Sequence, residues 1–141
     1  MIQRIQTVYL FLGALALGGI VFFDVPWSDP ATRQFAWFVP TLIGLMAVTI
    51  VTALGSIFLY DRRKTQRTVV YGVQLLSLAF AGVLYGGLYG AGTLTFTDPT
   101  GVLWGRSVVL LLPIVAYILF RLARRGIQND IELVESMDRI R

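Results

Sequence analysis

Cysteine and histidine are both absent from this 141-residue chain. Without cysteine there is no disulfide framework, thiol redox centre or thiolate metal site. Without histidine, imidazole-held haem or zinc and a histidine general base are excluded as well. Charge is also scarce: 14% of residues are charged against 56% hydrophobic, and mean hydropathy is +0.72. No Asp, Glu or Lys falls at the centre of an apolar stretch, whereas proton-coupled transport, intramembrane aspartyl proteolysis and ion pumping usually rely on such a group. Gly55-Ser56 superficially looks like a serine nucleophile, but there is no histidine to activate it and Lys64 lies in a polar turn. Ser56 is therefore expected to be a helix-packing residue.

What the chain does have is hydrocarbon, in four runs at about residues 7–23, 35–60, 69–94 and 102–120. A bilayer core about 30 Å thick takes roughly 20 apolar residues per helical crossing. The expected fold is thus an all-α membrane protein, a four-transmembrane-helix bundle over residues 1–120. A charged amphipathic cytoplasmic C-terminal helix over residues 121–141 completes it. Strands are not expected, because the runs are continuously apolar and too long for barrel strands of about ten alternating residues. The first run shares a basic start, Arg4, with signal peptides, but its Ala-x-Ala (Ala14-Leu15-Ala16) lies mid-run and no small-residue cleavage site follows. Retention as a helix is expected. Pro40 falls in the first turns of the second run, where few helical bonds need its N–H. Pro113 is expected to kink the fourth.

Orientation follows from the basic residues flanking the runs. Of the 12 Lys and Arg, ten (Arg4, Arg62, Arg63, Lys64, Arg67, Arg121, Arg124, Arg125, Arg139 and Arg141) fall on one side and Arg33 and Arg106 on the other. The ten mark the cytoplasmic side, which places both termini there. Trp27, Trp37 and Trp104 fall near the outer ends, and Tyr60 and Tyr71 at the inner ends, as interfacial aromatics do.

Four features are candidates for function. Gly82, Gly86 and Gly90 make two consecutive G-x-x-x-G spacings on one helix face, which is expected to serve close packing within the bundle, the alternative being a second copy or another subunit. Ala14 and Gly18 offer a weaker small-residue pair. Arg106 lies about one turn inside the outer boundary. It is expected to snorkel outward, the alternative being a paired or anion-facing charge with Asp24, Asp29 or Asp98 as partner. In the tail, Ile127, Ile131, Val134 and Met137 follow helical spacing, and Leu133 and Ile140 widen the stripe. A helix continuing from the fourth crossing is expected to pack this stripe on a partner or on the cytoplasmic turn. Arg121, Arg124 and Arg125 precede it, where anionic headgroups would attract them. The deeper polar side chains are few: Thr49, Thr52, Ser56, Gln74, Ser77 and Tyr85.

The start Met1-Ile2-Gln3-Arg4-Ile5-Gln6 and the end Asp138-Arg139-Ile140-Arg141, with Leu122-Ala123-Arg124-Arg125-Gly126-Ile127 before it, resemble a bacterial membrane-protein family of unknown function, of Bacteroidota type. Ile131 departs from the pattern, which has an acidic residue there. The resemblance implies four crossings and a bacterial cell envelope, and it brings no catalytic residues. The expected role is a non-enzymatic subunit, scaffold or assembly factor of the inner membrane, with a small oligomeric transporter or channel as the alternative. No cofactor or metal is expected. Membrane lipids and a second copy or another membrane subunit are the expected partners, and nucleic acid is not.

Overall fold

The structure, a computed structural model, describes residues 2–25, 27–59, 61–102 and 104–140. Met1, Pro26, Tyr60, Leu103 and Arg141, and the side chains of Ile2, Gln3, Arg4, Asp98, Val102 and Ile140, lie outside the description. The helices are α1 (Ile2–Gly18, continued by a 3-10 turn over Gly19–Phe22), the short α2 (Pro30–Gln34), α3 (Phe38–Ile57), α4 (Arg63–Gly90) and α5 (Trp104–Ile140). Four of them are long and apolar enough to cross a membrane. Between α4 and α5 lies a minimal hairpin, β1 (Thr97–Asp98) against β2 (Gly101–Val102), paired antiparallel with Thr97 opposite Val102. The fold is an all-α four-helix bundle.

The long helices form a ring. α1 packs on α5 and α3, and α4 packs on the same two; the diagonal pairs α1/α4 and α3/α5 do not approach among the described residues. Each helix turns a seam inward with alternating spacings of three and four residues, the period that keeps a stripe facing its neighbours along nearly parallel axes. The buried seam of α3 is Phe38, Leu42, Met46, Thr49, Ala53 and Ser56. That of α1 runs Gln6, Leu10, Gly13, Leu17 and Ile20, and that of α5 runs Val109, Pro113, Ala116, Phe120, Ala123 and Ile127. Polar members of the seams turn back on their own helix: Thr49 donates to the Leu45 carbonyl, Ser56 to Ala53 and Ser77 to Gln74. This is the usual way a hydroxyl is satisfied where no water reaches.

Helix limits differ from the apolar runs, and local chemistry says why. α4 starts at Arg63, six residues before its apolar run, because its polar first turns pack on the tail of α5. It ends at Gly90, four residues before the run does. Gly92 takes φ +74, its N–H bonds Tyr89 O at 3.0 Å, and the Thr93 N–H bonds Leu88 O at 2.8 Å. Those two bonds around a left-handed glycine stop the helix and satisfy its last carbonyls. Gly92→Ala forces a β-carbon into that backbone region, and a loss of about 1–2 kcal/mol is expected in denaturant unfolding of the detergent-solubilised protein. α5 runs through Pro113 without interruption. Pro113 has no N–H to give to the Val109 carbonyl four residues back; one residue further on, the Tyr85 hydroxyl donates to the Leu110 carbonyl.

Candidate functional site

At the end of the bundle where Trp27, Trp37 and Trp104 lie, three chain segments converge on one carboxylate. Asp29 caps α2: its Oδ1 accepts the Ala31 N–H at 2.9 Å, with Pro30 pre-set for the first helical position. The same Oδ1 accepts the Thr93 hydroxyl at 2.8 Å. Oδ2 accepts from Arg106 Nη2 at 2.9 Å. Arg106 Nη1 in turn donates to the carbonyl of Thr93. The carboxylate is fully buried and the arginine side chain is 16% exposed.

Arg106 therefore does not snorkel. Asp29 lies within reach in the fold, and a guanidinium gains more from a carboxylate and a carbonyl in a low-dielectric corner than from a path to water. Of the three carboxylates considered from sequence, Asp29 is the partner, Asp24 is not, and the Asp98 side chain lies outside the description. The cluster ties the α1–α3 loop, the end of α4 and the start of α5 into one knot. Its charges are spent on each other, so its chemistry is that of a lock.

The glycine stripe lies elsewhere than close packing within the bundle requires. Gly82, Gly86 and Gly90 are all exposed, and a β-carbon on Gly82 or Gly86 would meet nothing within 4 Å. The reason is register: the inward seam of α4 passes through Val73, Ser77, Phe80, Leu84 and Gly87, and Gly86 falls opposite it. Only Gly90 has a neighbour, the Phe35 ring at 3.2 Å from a β-carbon built there. The close approaches use other glycines. Gly87 accommodates the buried Phe38 ring, and Gly13 accommodates Phe120, whose ring would lie 2.5 Å from a β-carbon at Gly13. Ala14 is buried in the core, while Gly18 has only ordinary space beside Ile50.

The tail is also more internal than a free partner-binding stripe. Ile127 is fully buried and Ile131 nearly so, Val134 is half-buried, and Met137 is exposed. The first two are covered because α1 starts at Ile2, which brings Gln6 against Gly126, and because the first turns of α4 lie beside Ile131. Arg63 pairs with Asp130 at 2.7 Å and Lys64 with Glu135 at 3.7 Å. Gln66 Nε2 donates to the Ser56 carbonyl at 3.0 Å and closes the α3–α4 turn from inside. Met137 is left as the exposed apolar side chain among the four proposed from the tail.

The Asp29–Thr93–Arg106 knot, Gly13 and Gly87 were not all visible from spacing. The seams of three and four residues do carry Gly13 and Gly87 and leave Gly82 and Gly86 outside, so the register of the apolar stripe is the signal that sorts glycines. A sequence-family profile described as a domain of unknown function (DUF4293) matches residues 2–140. No curated protein and no solved structure matches the chain.

Proposed function

The chain belongs to the DUF4293 family, and we propose that within it this protein is a non-enzymatic subunit or scaffold of a membrane complex. It sits in the bacterial inner membrane with both termini in the cytoplasm. The observation that carries this reading is the outward glycine face of α4. Gly82 and Gly86 leave bare backbone on the outside of a bundle whose own seams are already filled. In lipid, helix association draws on close van der Waals contact, which a small-x-x-x-small face supplies. Phe38, Phe80 and Phe120 occupy the interior at three levels, and the buried ion pair is engaged in holding the loops together. Both features suit a rigid body that offers its surface. The ten-to-two distribution of basic residues supports the orientation, and exposed Trp37 and Trp104 at the opposite end suit an outer interfacial belt.

Native mass spectrometry after purification in mild detergent tests the reading. The expected result is an assembly heavier than the 15.7 kDa single chain. Gly86→Leu, which meets open space within the chain, should weaken that assembly about tenfold or more, 1.4 kcal/mol per decade, with helix content unchanged. A lone 15.7 kDa species under every mild condition would overturn the proposal.

A further inference from the structure

On the flank of the α4–α5 seam, near the arginine-rich ends of the two helices, lies an open hollow of about 540 Å³. Four of its lining side chains are cationic: Arg67 from α4, and Arg121, Arg124 and Arg125 from α5. Among the described residues no carboxylate lines it. The nearby acids are engaged elsewhere, Asp130 by Arg63, Glu135 by Lys64, and Glu132 by the Gln128 amide at 2.8 Å. Two of the arginines are held in place. Arg67 donates to Gln128 Oε1, and the Arg124 guanidinium lies 4.9 Å from the centre of the Tyr71 ring, a cation–π distance. Arg121 and Arg125 are exposed and make no ion pair among the described residues.

Four guanidiniums around one hollow repel each other, and the ligand that relieves this is a phosphate, which accepts their N–H groups in pairs. On α5 the lining of the hollow begins at Arg121, where the apolar run ends. From there an exposed apolar stripe runs along each helix: Tyr71, Leu75 and Leu78 on α4, and Ile118, Ile114 and Leu111 on α5. Spacings of three and four keep each stripe on one side of its helix. Both stripes start from the basic hollow that α4 and α5 share at one end. At the other they share an apolar hollow of about 250 Å³, lined by Tyr85, Leu110, Leu111 and Ile114 among others. From Arg121 to Leu111 is about 15 Å along the axis at 1.5 Å per residue, half of a hydrocarbon core about 30 Å thick.

We propose that the Arg67/Arg121/Arg124/Arg125 hollow binds the phosphate of an anionic phospholipid, whose acyl chains lie along these two stripes. The α4 stripe continues into the glycine face, since Gly82 and Gly86 follow Leu78 at spacings of four, but the test of the site reads retained lipid and not the mass of an assembly. The full-length protein in detergent is offered phosphatidylglycerol, phosphatidylcholine with the same acyl chains, or inorganic phosphate, and bound species are counted by native mass spectrometry. The wild type should retain phosphatidylglycerol over phosphatidylcholine. Arg121→Gln/Arg125→Gln should lower that retention about 25-fold, fivefold per arginine from about 1 kcal/mol each. Arg33→Gln/Arg139→Gln carries the same charge change outside the hollow and should leave retention within about twofold, being remote from a site whose electrostatics fall off within a Debye length. Equal losses in the two double variants would reduce the effect to diffuse attraction and overturn the site, as would equal retention of the two lipids. Inorganic phosphate that binds as tightly as phosphatidylglycerol would overturn the acyl contact and make the ligand a free phosphate compound.

Discussion

Asp29→Ala should cost about 3–5 kcal/mol, the range for removing one partner of a buried ion pair. The substitution leaves Arg106, only 16% exposed, with a full charge and, among the described residues, the Thr93 carbonyl as acceptor. It also removes the acceptor for the Ala31 N–H and the Thr93 hydroxyl, and a lost cap alone costs typically about 1 kcal/mol. The charge effect is the larger, which a comparison can show. Asp29→Asn keeps an acceptor for the α2 cap but not the negative charge, so it should fall nearer to Asp29→Ala than to wild type. Asp29→Asn/Arg106→Gln removes both charges and should recover much of the loss, because the pair's own attraction is largely cancelled by its desolvation. Unfolding in mixed micelles measures all four proteins. A cost below about 1 kcal/mol for Asp29→Ala, the range of an exposed pair, would mean that Arg106 is solvated in the absence of its partner and that the knot is not a lock.

Gly87→Ala and Gly86→Ala should change stability in opposite directions, although the residues are adjacent. Either substitution raises helix propensity by up to about 1 kcal/mol. At Gly86 a β-carbon meets open space, so the gain stands. At Gly87 it falls on the Phe38 ring, which is fully buried between α3 and α4 and has no free side to move to. Overpacking of this kind costs typically about 1–3 kcal/mol and outweighs the propensity gain. Gly87→Ala should lower the unfolding midpoint, and Gly87→Leu should prevent the two helices from docking. Phe38→Leu in the Gly87→Ala background should return part of the loss. If both alanine variants proved equally stable, the Phe38–Gly87 approach would not be part of the packed state.

Much of the architecture was legible from hydropathy. Four apolar runs of crossing length became four long helices, because nothing but a helix satisfies the backbone of such a run out of water. The tail, with Arg121 to Ile127 in continuous helical spacing, does continue the fourth helix. Limits were harder to read, since they depend on groups that hydropathy does not weigh. Arg63 to Gln66 are polar, yet helical, because the tail and the α3–α4 turn give them partners. Leu94 is apolar, yet outside α4, because Gly92 turns the chain first. The contact between Asp29 and Arg106 spans 77 residues, and no local pattern encodes a pairing across that separation; sequence could only name three acids as candidates. The glycines show the opposite difficulty. A G-x-x-x-G spacing identifies a face without saying whether that face turns inward, and only the neighbouring seam residues decide it.

The ring closes between its first and last members. α1 packs chiefly along α5, with Gly13 on Phe120, Gln6 on Gly126 and the 3-10 turn beside Leu112, and the Asp29–Arg106 knot joins the first loop to the same helix. In the proposed membrane placement the amino-terminal crossing enters the bilayer long before its main partner exists, and the side of its seam that meets α5, Gly13 included, rests against lipid while α3 and α4 follow. Non-local closure of this kind comes late in assembly. A nascent chain stalled before residue 104 would hold a helix with an open flank and an aspartate with no counter-charge.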